Sequence, residues 1–480
     1  MQKSISIAII DNGINEILLR KPLKNSVYVN EQFYCQKDVN NYEKELFDHG
    51  SKCALIIEEF CPRCELVSVK ILGNNGKGLI NKLKPALEWC IQEKIRLINL
   101  SLGTIHFSDK TKIQRIINEY SNRGIIIIAA TSNTGYITYP ASFSNVIGVA
   151  CGENFVHDMT MKFERGIDFV VSTNYKIKNI HSNLKIENTN SYAAPYITAL
   201  AGNLLSENNE LNFLELKRKI YEIYNDKSKD FFYCSEPDWI SQAYFKDGNN
   251  NSKLEFYFTE IKTNNGKQEK SDTIILMSQK NLNNYELENK NIVYLGKEKF
   301  KYRNFNKFFW SREQKSLQIT NTQIRKGEIE IPVILCLLKG KIDCFFFLSE
   351  IRKNFKNDSY NLYTVSMKEQ SVLYNFEYIP KEYLQKEKKN KLLDFLYWQT
   401  YFKKSDAILI CIDKTIKKNK EYNNINFDVI MELSLLKKES NVLVSLNKNN
   451  QKFICEQLDQ STILTIYQKL LDQLIGYEDE

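Results

Sequence analysis

GIIIIAAT, residues 124–131, is an apolar run without the polar alternation of a strand that keeps one face in water. LINLSLG, residues 97–103, reads the same way. Runs of this kind suit strands covered on both faces, as in a parallel sheet sandwiched between helices. Outward from them, the short apolar runs SISIAII (4–10), ELVSVKIL (65–72) and VIGVACG (146–152) alternate with longer amphipathic stretches. Those stretches are SKCALIIEEF (51–60), KLKPALEWCIQEK (82–94), KTKIQRIINEYSNR (110–123) and SYAAPYITALAGNLLS (191–206). Strand, helix, strand repeats imply βαβ units. The expected fold class is α/β, a parallel sheet flanked by helices, over residues 1–225.

The chain has 480 residues, enough for two or three cores at roughly 150 residues each. After a connecting region at 226–270 a second α/β alternation is expected over 271–480. Its strand candidates are SDTIILM, NIVYLG, IPVILCLL, SDAILICID and NVLVSLN; its helix candidates are EKKNKLLDFLYWQTYFKK and TILTIYQKLLDQLI. No apolar run approaches the roughly 18 to 20 residues of a membrane helix, so no membrane partner is expected. The formal charge of +8 comes from lysines spread along the chain, and no nucleic-acid partner is expected.

A strand already begins at Ser4, so the expectation is a chain without an export signal or a folding segment ahead of it. Eleven scattered cysteines, several inside apolar runs, fit free thiols and a cytoplasmic location. Cys61-Pro62-Arg63-Cys64 has ligand spacing but lacks the second pair a zinc site needs. Neither a metal nor another cofactor is expected.

Four segments carry the chemistry: IAIIDNG (7–13), DHGSKCA (48–54), AATSNTG (129–135) and TNSYAAP (189–195). They present Asp11, His49, Asn133 and Ser191 in that order, one of the known orders of a serine triad and its oxyanion donor. With INLSLG (98–103), YPASFSNVIGVA (139–150) and YITALAG (196–202), these segments resemble the subtilisin-like peptidases, the subtilases. The resemblance implies a subtilisin-like sheet and serine endopeptidase activity. In it Ser191 is the nucleophile, His49 the base, Asp11 its orienting acid and Asn133 the oxyanion donor, while Ser101, Leu102 and Gly103 form the strand that pairs with an extended substrate.

The residues support those roles on their own terms. Amide hydrolysis needs a histidine that takes the serine proton and returns it to the leaving amine. His49 precedes Gly50-Ser51 and a helical run, whereas His106, His157 and His181 stand in no comparable frame. Asp11 ends an apolar strand, where open parallel sheets place functional groups; it could also be a turn residue before Asn12-Gly13. Ser191 opens a helix of small residues whose N-terminal amides favour developing negative charge, though a serine there could also serve as a simple cap.

Two departures from the family pattern lie near this centre. Ser132 precedes Asn133 where glycine is usual, and Thr189-Asn190 precede Ser191 where Gly-Thr is usual. They point either to a restricted cleft that cuts one dedicated peptide or to a catalytically impaired protein that only binds peptides. The first is the reading adopted: limited processing of an intracellular peptide or protein, such as leader removal from a ribosomally made peptide. The expected partners are that substrate and proteins of a peptide-maturation complex. In the C-terminal half, VILCLLKGKIDCFFFLSEIRK (333–353) has a strand, turn, helix outline and weakly resembles degenerate P-loop-like domains of bacterial peptide-maturation proteins. Only Gly340-Lys341 of a phosphate loop remains, with Ile342 where a hydroxyl is required, so a scaffold that contacts a partner is preferred to a nucleotide site.

Overall fold

The computed structural model describes residues 4–39, 48–73, 75–152, 166–174, 176–178, 183–224, 234–246, 248, 250–262, 270–280, 287–301, 306–322, 327–385, 387–413, 425–436, 441–447 and 451–475. His157 and His181 lie outside the described residues. The chain divides into two compact units, one of residues 1–234, 238–241 and 304–308, the other of 235–237, 242–303 and 309–480.

In the first unit the described residues form an eight-stranded sheet, in the spatial order β3-β2-β4-β1-β5-β6-β7-β8. The strands are β1 (Ser6–Asp11), β2 (Asn25–Val29), β3 (Cys35–Lys37), β4 (Glu65–Lys70), β5 (Leu97–Leu100), β6 (Ile126–Ala130), β7 (Ile147–Cys151) and β8 (Phe169–Val171). Every pairing is parallel except that of the edge strand β3 with β2. A separate antiparallel pair joins β9 (Lys176–Lys178) to β10 (Asn183–Lys185). Among the described residues the unit's helices are α1 (His49–Phe60), α2 (Leu83–Gln92), α3 (Lys110–Asn122), α4 (Asn190–Glu207) and α5 (Phe213–Tyr224).

The central strands read as apolar runs because both of their faces are buried. Ile7, Ile9, Ile126 and Ile128 pack with Cys53, Ile56 and Ile57 of α1, Ala193, Ile197 and Ala201 of α4, and Ile220 of α5. The oppositely directed Ala8, Ile10, Ile98 and Ile127 are equally buried. Small residues let α4 sit close to the sheet: a Cβ on Gly202 would stand 2.9 Å from Ile7 Cδ1 and 3.1 Å from Cys61 Sγ. The C-terminal ends of β1, β5 and β6 and the N-termini of α1 and α4 carry the site, as is usual for open parallel sheets.

The second unit holds two sheets where the sequence suggested one. Strands β11 (Gln242–Lys246), β12 (Thr259–Glu260), β13 (Thr273–Leu276), β14 (Asn291–Tyr294) and β15 (Phe309–Ser311) form an all-parallel sheet ordered β12-β11-β13-β14-β15. The second sheet is ordered β18-β17-β19-β16-β20-β21-β22. It comprises β16 (Val333–Lys339), β17 (Leu362–Ser366), β18 (Glu377–Tyr378), β19 (Ala407–Asp413), β20 (Val429–Leu435), β21 (Val442–Leu446) and β22 (Gln451–Cys455). It is parallel up to β20, and β21 and β22 continue it antiparallel. Among the described residues the unit's helices are α6 (Arg312–Asn321), α7 (Cys344–Asn357), α8 (Lys389–Phe402) and α9 (Gln460–Ile475).

Its core contains an ionic knot: Glu377 Oε1 pairs with Lys315, Oε2 lies 3.1 Å from Lys403 Nζ, and the Tyr363 hydroxyl donates to Oε2 at 2.6 Å. At the turn after β16, Gly340 takes a φ of +97°, and Asp343 caps α7 by accepting from Phe346 N. The same carboxylate accepts from Ser252 Oγ at 2.8 Å and Lys253 N at 2.7 Å. The positive end of α7, where a phosphate loop would hold its anion, is therefore met by the chain's own acid. Among the described residues no helix is long and apolar enough to cross a membrane.

Candidate active site

Asp11 is the last residue of β1 and is buried. Its carboxylate accepts from Asn12 N at 2.8 Å, and His49 Nδ1 lies 2.9 Å from Oδ2 and 3.0 Å from Oδ1. His49 opens α1, whose cap is Asp48, accepting from Ser51 N at 2.9 Å. The next residue, Gly50, donates to Asn12 Oδ1 at 3.0 Å. The turn after β1 and the start of α1 are thus laced together, and the imidazole is held by its Nδ1 edge. Burial pushes the His49 imidazole down, but the Asp11 hydrogen bond and charge outweigh it and leave the ring more basic than usual. An imidazole bonded to a carboxylate through Nδ1 keeps Nε2 as its basic atom.

Ser191 stands half-buried in the first turn of α4, after the cap Thr189. The following Tyr192 lays its ring 5.4 Å from the His49 ring and under Lys52 Nζ at 5.5 Å, so the helix that carries the serine also backs the imidazole. Four residues on, Pro195 sits inside α4 and has no N–H to return to the Ser191 carbonyl. Ser101 supplies the missing donor, its Oγ reaching Ser191 O at 2.9 Å, and the Cys53 thiol points at the same oxygen from 3.8 Å. Ser101 Oγ in turn accepts from Asn99 Nδ2 at 3.0 Å, and Asn99 Oδ1 accepts from Thr198 Oγ1 at 3.0 Å.

Asn133, on the loop after β6, is exposed, and its Oδ1 accepts from Asn190 N at 2.9 Å. That bond leaves the Nδ2 donors of Asn133 free to act on another group. Leu102 is half-buried and Gly103 exposed. The glycine has a structural reason beyond any incoming peptide. A Cβ there would stand 2.7 Å from Thr138 Cγ2 and 2.8 Å from Tyr139 O, across the antiparallel bridge between Thr104 and Tyr139.

Two residues at the site escaped the motif reading. Cys53 lies one helical turn beyond His49, and Asp11, His49 and Cys53 each offer a ligand atom within 4.8 Å of the others. Burial raises the Cys53 thiol well above its ordinary range, and its single S–H lies within reach of Ser101 Oγ at 3.6 Å and Ser191 O at 3.8 Å. Asn190 stands in the sequence as a departure from the glycine-containing pattern, yet its side chain joins three segments. The signal for both was position, four residues after the histidine and one before the serine. Cys61 and Cys64 are buried free thiols at the far end of α1.

Residues 2–231 match the family model described as the subtilase family, Peptidase_S8. Subtilisin BL of Lederbergia lenta is 28% identical over 163 residues, covering 33% of this chain and 60% of that protein. The thermostable alkaline protease of Halalkalibacterium halodurans is 35% identical over 91 residues, 18% of this chain and 25% of that protein. The minor extracellular protease Epr of Bacillus subtilis (strain 168) is 28% identical over 160 residues, 31% of this chain and 23% of that protein. The chain thus spans 60% or less of the length of these relatives. A solved cold adapted subtilisin-like serine proteinase aligns at a TM-score of 0.37 and 19% identity, covering 47% of this chain and 85% of that one. The N-terminal part of the chain is a subtilase-family domain.

Proposed function

We propose that the protein is a serine endopeptidase in which Ser191 is the nucleophile, His49 the general base and Asp11 the residue that orients it. The observation that carries this reading is the Asp11–His49 Nδ1 hydrogen bond at 2.9 Å, beside a helix that carries Ser191 in its first turn and packs its Tyr192 against the imidazole. Ser191 Oγ adds to the scissile carbonyl carbon and its proton passes to His49 Nε2. The carbonyl oxygen, now an anion, takes hydrogen bonds from Asn133 Nδ2 and the Ser191 N–H. Collapse expels the amine, which leaves with the proton from Nε2, and water repeats the sequence on the acyl-enzyme.

Limited processing of one intracellular peptide, such as leader removal from a ribosomally made peptide, is the substrate reading. Side chains at Ser132 and Thr189 in place of the glycines of the family pattern support a narrowed cleft, and eleven free cysteines support a reducing compartment. The second unit is assigned to docking of a substrate or a maturation partner, a reading supported by Asp343 filling the anion position of α7.

A fluorophosphonate probe tests the activity. Labelling of the wild type that vanishes in Ser191→Ala is expected, and mass spectrometry of peptides cut by the purified protein then gives the cleavage site. Folded protein that never labels overturns the peptidase reading in favour of a peptide binder.

A further inference from the structure

Asn190 makes four hydrogen bonds at the junction of three elements. Its main-chain N–H holds Asn133 Oδ1 at 2.9 Å. Its side-chain amide donates to Thr131 Oγ1 at 3.1 Å and to Ser132 O at 2.8 Å, and its Oδ1 accepts from Cys151 N at 2.7 Å. Thr131 and Ser132 follow β6, Cys151 ends β7, and Asn190 is the first residue of α4, directly before Ser191. Apart from bonds within the loop, Thr134 N and Oγ1 to Ser132 Oγ and Gly135 N to Ser132 O, the loop is held near its start by Thr131 N and Oγ1, which donate to Val149 O, and by Ser132 N, which donates to Thr138 Oγ1 at 2.7 Å. Asn133 and Thr134 beyond it are exposed.

We infer that Asn190 is a positioning residue that clamps the 131–133 loop to the start of α4 and so fixes Asn133 beside Ser191. The clamp needs a planar amide. Two donors face the loop while an acceptor faces the strand, and each is matched by a group of the opposite kind. A threonine, usual at this place in the resembled pattern, has a single hydroxyl on a shorter side chain and cannot span the three partners. An aspartate has the shape but no donor, and would set a carboxylate oxygen against Ser132 O. The side chain departing from the family pattern is thus the one that holds the loop in register with the nucleophile.

The inference deepens the peptidase reading and rests on it, because the loop matters through the oxyanion donor it carries. Loss of an oxyanion donor slows acyl transfer by about 10²- to 10³-fold, and a donor that is present but unpinned should lose part of that, about 10- to 100-fold. The test measures the rate of labelling by a fluorophosphonate probe for Asn190→Ala and for the isosteric Asn190→Asp, each with Asn133 intact and with Asn133→Ala, alongside hydrogen exchange of residues 131–133.

Both single variants are expected to label about 10- to 100-fold more slowly while exchange in the loop quickens. In the Asn133→Ala background neither should slow labelling further, since a residue acting through Asn133 has nothing left to position. Wild-type labelling rates, unchanged loop exchange, or losses that multiply with Asn133→Ala overturn the role of Asn190. Wild-type protein that never labels, with the loop still loosened by the variants, overturns the peptidase reading and leaves the clamp standing as architecture.

Discussion

Gly50→Ala puts the link between backbone packing and chemistry under direct strain. Gly50 is the second residue of α1, one after His49, and a Cβ added to it would stand 2.2 Å from Gly13 O and 3.2 Å from Asn12 Oδ1. Ordinary contact begins near 3.4 Å, so helix and turn must part by roughly 1 Å. The turn yields poorly, because Gly13 already holds a φ of +109° and its carbonyl is main chain, not the tip of a flexible side chain. The same movement stretches the Gly50 N–H to Asn12 Oδ1 bond, now 3.0 Å, and carries His49 away from Asp11. Starting from 2.9 Å, a displacement of that size takes the Nδ1 contact out of hydrogen-bond range. Misplacing a reacting group by about 1 Å costs about 100-fold in rate, and overpacking of this kind costs about 1–3 kcal/mol of stability. Fluorophosphonate labelling rates read the first, urea unfolding the second. Gly76→Ala is the control: its φ is +71° but nothing lies within 4 Å, so some stability should be lost without slower labelling. Gly50→Ala labelling within about twofold of wild type would refute the reasoning, since it would mean that the imidazole is not held by this close approach.

Asp11→Asn keeps the shape of the side chain but can present an N–H to Nδ1, favouring the wrong tautomer; labelling should fall about ten-thousand-fold. The wild-type labelling rate should rise with pH through a midpoint above the usual imidazole value of about 6.5. The Asp11 interaction overrides the downward push of burial, and only the neutral ring can accept the serine proton. A midpoint at or below that value contradicts the assignment. Glu377→Gln leaves Lys315 buried without its counter-charge and Lys403 with only Glu236 at 3.7 Å, and should cost about 3–5 kcal/mol in urea unfolding of the full chain. Burial pushes the Glu377 carboxyl up and the two lysines outweigh it, so its folded value lies below the unfolded one. Its contribution should be full above an unfolded value of about 4.3 and fade as pH falls below it, a dependence that Glu377→Gln should remove.

Much of the first unit was legible because each signal is local. Runs such as IIIIAA and LINLSL betray strands without a wet face, and the fold buries Ile126, Ile127, Ile128 and Leu100 accordingly. Asp11 and His49 stand at a strand end and a helix start, where the chain's own punctuation marks them. Long-range choices were not legible. CQK at 35–37 has no apolar pattern and becomes the antiparallel edge β3 through its pairing with β2. TIIL and NIVY look like VILCLL and AILICI, yet the first two join QAYFK in one sheet and the last two pair in another. Apolar content specifies burial, not partner. The same limit hid what the Asn190 and Ser101 side chains bond to, because those partners lie far off in the chain.

The polar contacts around Ser191 explain how separate elements are tied to one point of the fold. Hydrophobic packing places α1, α4 and the sheet in contact but is non-directional, and on its own it tolerates small slides along the helix axis. Pro195 removes the helical partner of the Ser191 carbonyl, and the fold answers with Ser101 from the end of β5 and Cys53 from α1. A buried carbonyl left bare would cost about 1–3 kcal/mol, so the helix is driven to the one register in which these donors meet it. That register also sets Tyr192 against His49 and Asn190 against the β6 loop. A slide of α4 by even a fraction of a turn would break the Ser101 contact, the Asn190 contacts and the Tyr192–His49 ring contact together. The proline therefore acts as a positional key. By opening one hydrogen bond inside the helix, it makes the helix depend on the two elements that carry the rest of the site.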